Sequence, residues 1–383
     1  MEISVFRPDA RIVEASRNGI DFVNLTVFIL AENGLHAVEN ADFPFGYSSG
    51  VHLGVDALAS SFAADELDVF IADEVVEHPH GIAAAADTGQ DSRGQFPFPF
   101  EDLLTRLQTD YIDLGMIHYV DSEEEWEQIL HSEYLSYVME LKKTGVIHHI
   151  GLSSHNPKVA VKAAESGFVE MILFSVNPAF DMLPASEDID TMFAERFDAG
   201  LKGIDAARAH LYSVCEQNDV GITVMKGFAG GRLFDEKRSP FGVCLTPVQC
   251  IHYALTRPAV CSILCGYDTK EQVDAAVAYE TASAEEKDYA SVLANAPFHS
   301  YRGQCTYCGH CKPCAAELDI AMINKFYDLA TMQPEVPATI QSHYELLGHT
   351  ASECIGCHAC EARCPFGVPI ARRMEQAAAL FGR

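Results

Sequence analysis

The sequence predicts an α/β fold over residues 1–295, followed by a small unit of different construction over 296–383. Two observations carry that division. Short apolar runs alternate with longer amphipathic stretches as far as about residue 295, where the rhythm stops; repeating strand–helix units of this kind build a sheet covered by helices. The cysteines are distributed in the opposite sense. None of the thirteen precedes Cys215, five are scattered between Cys215 and Cys265, and eight crowd between Cys305 and Cys364. With 48% hydrophobic residues and 10% aromatics, the 383-residue chain can bury a sizeable core.

Six strands are predicted, at 68–72, 112–119, 146–152, 169–176, 221–225 and 260–265. Each is a brief run of β-branched or large apolar residues, the pattern of a parallel strand buried on both faces. Helical patterns occupy 100–107, 123–144, 157–166, 206–218, 246–256 and 269–279. Thr246-Pro247, and Asp268-Thr269 ahead of Glu271, are start signals, and Gly145 after Lys142 and Lys143 is a stop signal. The units fit an open doubly wound sheet or a closed (β/α)8 barrel. The first 60 residues are too irregular to fix the number of units. Residues 79–99, rich in Gly, Ala, Asp and Pro, read as a long surface loop.

The net charge of −29 excludes a nucleic-acid grip or an anionic-membrane surface as the main function, since both need clustered Lys and Arg. The longest apolar patch, 22–31, is interrupted by Asn24 and Thr26, and no run approaches a membrane span. No basic segment leads into an apolar one at the N-terminus, so a cytoplasmic location is expected.

The cysteine block carries the sharpest chemistry. Cys305, Cys308, Cys311 and Cys314 are spaced C-x2-C-x2-C-x2-C; Cys354, Cys357, Cys360 and Cys364 are spaced C-x2-C-x2-C-x3-C with Pro365 following. Three closely spaced thiolates can surround one iron–sulfur cubane, and in two-cluster ferredoxins the fourth ligand comes from the other motif. Two [4Fe–4S] clusters are therefore expected, one on Cys305, Cys308, Cys311 and Cys364, the other on Cys354, Cys357, Cys360 and Cys314. Structural zinc would instead space its C-x2-C knuckles in separated pairs. His310 and His358, inside these loops, are expected to be hydrogen-bonding neighbours. The chain from 317 to 347 is expected to hold helices. Cys215, Cys244, Cys250, Cys261 and Cys265 read as small buried hydrophobes on helix or strand positions.

In the first region, Leu107 to Leu114 (LQTDYIDL) followed by Ile117-His118 resembles the L-x-x-D-Y-I-D-L-x-x-I-H segment of the aldo-keto reductases. Gly151-Leu152-Ser153-Ser154-His155-Asn156 is similar to that family's turn after the fifth strand. Val224-Met225-Lys226 through Gly230-Gly231-Arg232-Leu233 is similar to its segment after the seventh, and 249–255 with 266–272 to its closing unit. A subgroup of that family has a C-terminal ferredoxin-like domain whose opening motif the segment at Cys305 resembles. The resemblance runs from about residue 65 to the end.

It implies a (β/α)8 TIM barrel with its site at the C-terminal ends of the strands, then a small ferredoxin-like or helical iron–sulfur domain. It also implies NADP(H) or NAD(H) bound without a GxGxxG turn, which the chain lacks. By position, the nucleotide contacts are Ser153, Ser154, Asn177, Lys226, Gly231, Leu233, Gly266 and Gln272.

The family's catalytic set is Tyr, Lys, Asp and His. His118 matches the histidine, and Asp42 and Tyr47 keep the Asp-to-Tyr separation. An alternative alignment of Gly19-Ile20-Asp21-Phe22 puts Asn24 at the aspartate and leaves no tyrosine. The lysine is missing: its position falls on Asp73 and Glu74, and the first lysine of the chain is Lys142. An ionised Glu74 beside Tyr47 would raise the phenol pKa, where the chemistry needs it lowered. The expected function is therefore an iron–sulfur oxidoreductase moving electrons between a nicotinamide or organic substrate in the barrel and two clusters. Two alternatives stand beside it: an electron-transfer protein on a silent barrel, and a reductase with His118 or Glu74 as its acid. The expected partners are a small-molecule substrate and a redox protein. The Phe96-Pro97-Phe98-Pro99-Phe100 cluster either lines a substrate pocket or caps the barrel.

Overall fold

The computed structural model describes Leu104 and residues 109–186, 201–267 and 269–383, together with the backbone of 25–30. The described sheet has the order β1-β6-β5-β4-β3-β2. Its strands are β1 (Leu25–Leu30), β2 (Ile112–Ile117), β3 (Ile147–Ser154), β4 (Met171–Ser175), β5 (Gly221–Met225) and β6 (Val260–Tyr267). From β2 to β6 neighbouring strands pair in parallel. Every side chain of β4 and β5 is buried, as the continuous apolar runs require. The arrangement is a parallel α/β half-barrel. Strand β1 departs from an all-parallel ring: it lies antiparallel to β6, with Leu25 opposite Tyr267 and Leu30 opposite Ser262.

The connecting helices are α1 (Glu123–Leu130), α2 (Glu133–Thr144), α3 (Pro157–Glu165), α4 (Ala206–Asn218), α5 (Pro247–Leu255), α6 (Lys270–Val277) and α7 (Tyr289–Ala294). Sequence periodicity predicts a single helix over 123–144; the structure breaks it at His131–Ser132. Ser132 adopts an extended backbone and accepts a hydrogen bond from Leu135 N, so it caps α2 instead of continuing α1. The signals at the other ends act as their chemistry dictates. Ser122 and Glu125 form a capping box on α1, Thr246 and Gln249 form one on α5, and Gly145 ends α2 at φ 78°.

Residues 296–383 fold as helices and loops, with α8 (Ile320–Thr331), α9 (Ala338–Glu345), α10 (Ala359–Arg363) and α11 (Ile370–Phe381). None of the described strands lies in this segment, so the insertion 317–347 is helical as expected and the ferredoxin sheet is not part of the described fold. The segment is not an appendage on a tether. Its apolar residues belong to the same continuous core as the sheet. Ser213 of α4 donates to Leu329 O at 2.9 Å, and Thr339 donates to Gln217 O at 2.9 Å.

Of the five scattered cysteines, Cys215, Cys250 and Cys265 are buried on α4, α5 and β6, and Cys261 is partly covered. Cys244 corrects the expectation. It is exposed, because it lies in an irregular segment ahead of α5 rather than on a helix or strand face. Among the described residues no helix is long and apolar enough to cross a membrane.

Candidate functional site

Parallel strands end at a common edge, so the residues that follow β2, β3, β4 and β5 are neighbours on one rim. His118 follows β2, Ser153 and Ser154 end β3, Asn177 follows β4, and Lys226 follows β5. His118, Ser153, Ser154 and Asn177 are all at most 2% exposed. Lys226 is half-buried, with a left-handed backbone (φ 57°) that turns the chain as it leaves β5.

Two locks hold the rim. Asp121 accepts hydrogen bonds from His155 N at 2.6 Å and Ser154 Oγ at 3.1 Å, and its second oxygen lies 2.9 Å from His155 Nδ1. Asn156 Nδ2 donates to the Asp121 carbonyl at 2.8 Å, which ties the turn after β2 to the turn after β3. The second lock is Asn177. It donates to Lys226 O at 2.9 Å and accepts from Ala179 N and Phe180 N, both at 2.9 Å. Its amide is thus engaged in joining the ends of β4 and β5. Ser153 Oγ, by contrast, is buried with no hydrogen-bond partner among the described residues.

The electrostatics of the rim follow from burial. Burial first, then the His155 and Lys226 charges, holds His118 well below the ordinary histidine range. Near pH 7 it is a neutral imidazole, able to orient an oxygen by hydrogen bonding but not to act as an imidazolium acid. Burial pushes the Asp121 carboxyl up, but the hydrogen bonds from His155 and Ser154 outweigh it and its pKa ends below the ordinary value.

The second constellation is a small pocket, partly open to solvent. Cys305, Cys308, Cys311 and Cys364 all line it, with Phe366, Val368 and Ile370 among the apolar walls. Arg363 brings the distant cysteine to this place. Its guanidinium donates to Cys311 O at 2.6 Å and Pro313 O at 2.7 Å, so the residue just before Cys364 is clamped to the first cysteine loop. Cys314 does not line the cavity. In the second motif Cys360 is buried and senses Cys354 and Glu361, while Cys357 is exposed. His310 lies 3.2 Å from Asp288, and His358 is 2.8 Å from Glu361, so both are held by carboxylates. Among the described residues no three of His, Cys, Asp and Glu converge on the centre of a single metal ion.

Between the rim and the cavity runs a buried polar network that sequence reading missed. Asp181, fully buried, accepts from Tyr212 OH and Tyr253 OH at 2.7 Å each, and Arg208 Nη1 lies 3.8 Å away. Burial raises the Asp181 carboxyl above its ordinary value against the opposing pull of Arg208 and Arg257. Burial and then Asp181 push the Tyr212 and Tyr253 phenols well above theirs, so both remain donors. Arg257, next along, is 1% exposed and stacks on the Tyr253 ring. No local pattern announces these residues, because an interior charge is set by its tertiary partners.

The remaining predicted residues divide. Gly231 begins a 3-10 turn (Arg232–Phe234) with φ 78°, and Leu233 within it is buried. Gly266, next to last in β6, is exposed, and Gln272 is exposed on α6. Asp42, Tyr47, Glu74, the strand at 68–72, the loop at 79–99 and the aromatic cluster at 96–100 lie outside the described residues, as does the helix at 100–107 except Leu104.

Residues 90–247 match the model of the Aldo/keto reductase family; the match ends ahead of the cysteine-rich segment. Among solved structures, the chain is similar to the aldo-keto reductase AKR11C1 from Bacillus halodurans. For the holo form the identity is 22% and the TM-score 0.34, over 49% of this chain and 62% of that one. For the apo form the figures are 23%, 0.35, 49% and 63%. A thermostable aldo-keto reductase, Tm1743, in complex with the inhibitor epalrestat, is similar at 22% identity and a TM-score of 0.32, over 49% and 61% of the two chains. The chain therefore spans about six-tenths of the length of these structures. No curated protein matches.

Proposed function

We propose that the chain is an iron–sulfur oxidoreductase, with residues 1–295 as an aldo/keto reductase barrel and 296–383 as a unit holding two [4Fe–4S] clusters. The observation that carries this reading is the shared cavity of Cys305, Cys308, Cys311 and Cys364. A single zinc ion would draw its sulfur ligands to about 2.3 Å from one centre, and no such convergence exists among the described residues. A cubane has no such requirement, because its thiolates bind different irons around a cube. A pocket lined by four cysteines suits the larger group. Cys354, Cys357, Cys360 and Cys314 are the proposed ligands of the second cluster.

At the rim, Ser153 supports nicotinamide nucleotide binding, because its buried hydroxyl has a hydrogen bond to make. Ser154, Asn177, Lys226, Gly231, Leu233, Gly266 and Gln272 are the other proposed contacts. The nucleotide would supply electrons in pairs as hydride, and the clusters would carry them singly. The chain's own groups then have defined tasks. His118, neutral and buried, orients a substrate oxygen. Lys226 adds positive charge at the rim. Asp42, Tyr47 and Glu74 complete the proposed set. With a carboxylate where the family has its lysine, ordinary carbonyl reduction is disfavoured, and traffic between the nucleotide and the clusters is the preferred role. The same missing lysine favours a second reading, an electron-transfer protein on a silent barrel that serves a redox protein partner.

The test is anaerobic purification of the intact chain, assay of iron and acid-labile sulfide, and titration with NADPH and NADH. About eight irons and eight sulfides per chain are expected for two [4Fe–4S] clusters, with saturable binding of one nucleotide. Binding should weaken when Ser153→Phe fills the rim. Absence of iron and sulfide would remove the cluster assignment; iron without nucleotide binding would leave the silent barrel.

A further inference from the structure

Arg257 is a buried cation whose position is explained neither by an ion pair nor by the barrel rim. It follows α5 and is 1% exposed. Its guanidinium lies 4.4 Å from the centre of the Tyr253 ring and 5.0 Å from that of Tyr307. Nη2 donates to the carbonyl of Thr306, itself a residue of the pocket wall, and to Thr256 Oγ1 at 3.0 Å. Nη1 has no hydrogen-bond partner among the described residues.

A guanidinium taken out of water is unfavourable unless an anion compensates it. Arg208, equally buried, lies 3.8 Å from Asp181, and Arg373 on α11 is paired with Asp328. Arg257 forms no ion pair among the described residues, and its charge acts only at longer range on Asp181 and Asp328. On its other side stands the cysteine loop, which it meets through the Thr306 carbonyl and the Tyr307 ring.

We infer that Arg257 is the built-in countercharge of an anionic group in the Cys305–Cys364 cavity, and that it sets the reduction potential there. This rests on the cluster reading. Four thiolates give a [4Fe–4S] centre a net negative charge, and one-electron reduction adds another; a fixed cation against the loop stabilises the reduced state more than the oxidised one. Arg257 is thus a positioning and tuning residue. It does not touch a reacting atom, and its backbone bond to Thr306 also holds the loop.

The experiment is a dithionite redox titration of the intact, anaerobically purified chain, followed by electron paramagnetic resonance, on the wild type, Arg257→Gln and Arg257→Lys. Iron and sulfide are measured first in each. One electron from dithionite enters each cluster. The Gln variant should lower the potential of one of the two clusters by at least about 59 mV, a tenfold loss of electron affinity, and leave the other in place. The Lys variant, which keeps the charge, should stay near the wild type. If the Gln variant loses its iron, a loaded Lys variant with a near-wild-type potential sustains the inference. A loaded Gln variant with both potentials unchanged overturns it, as does a Lys variant that behaves like Gln. A wild type lacking iron and sulfide removes the cluster reading, and this inference with it.

Discussion

Cys364→Ala removes about half of the iron, and combining it with Cys305→Ala removes no more. Each substitution alone takes one ligand from the same proposed cluster, so the double variant keeps the second cluster and about four irons. The geometry behind this is the clamp of Arg363 on the first loop, which puts Cys364 on the wall of a cavity it shares with Cys305, Cys308 and Cys311. Ligation within each motif separately gives the opposite result, since the double variant then loses both clusters and nearly all iron. Iron per chain, measured on the two single variants and the double, decides between these. The complementary pair, Cys314→Ala with Cys354→Ala, should behave the same way for the other cluster.

Asp181→Leu destabilises the chain by about 3–5 kcal/mol, the range for breaking a buried ion pair by removing one partner. It strands the Arg208 charge and leaves the Tyr212 and Tyr253 hydroxyls without their acceptor. Arg208 is held meanwhile by Ser175 O at 2.9 Å and by the Phe174 ring, so it cannot swing out to water. Urea unfolding of Asp181→Leu, Arg208→Met and the double variant measures the coupling. The double variant should recover part of the loss, because no charge of the pair remains stranded. Strict additivity of the two single effects would show that Asp181 and Arg208 do not act as a pair.

Legibility in the sequence follows the range of the interaction that fixes each feature. Strand β5 is predicted at its observed limits, and β3, β4 and β6 within a few residues, because a strand buried on both faces is a short apolar run whatever lies beside it. Helix ends at Thr246 and Gly145 are local chemistry and could be read directly. The break at Ser132 could not, since the amphipathic pattern continues across it and only the side-chain cap reveals the interruption. His118, Ser153 and Lys226 could be placed on one rim once parallel strands were accepted. The Asp121–His155 lock is half legible: His155 stands in the turn that drew notice, but its partner is 34 residues away. Asp181, Arg208 and Arg257 were invisible, because a charge in the interior has no periodicity and acquires meaning only from what folds against it.

The central claim is that barrel and cysteine unit exchange electrons, and the shared core and the Arg257 contact to the first loop make them one body. The most direct measurement is the visible spectrum of the anaerobic, iron-loaded chain on mixing with NADPH or NADH. The account predicts bleaching of the broad cluster absorbance with a matched loss of the reduced-nicotinamide band. Dithionite, added as a control, must bleach the same absorbance. Clusters that dithionite reduces while neither nucleotide binds or bleaches them would contradict the account and leave an electron carrier on a silent barrel.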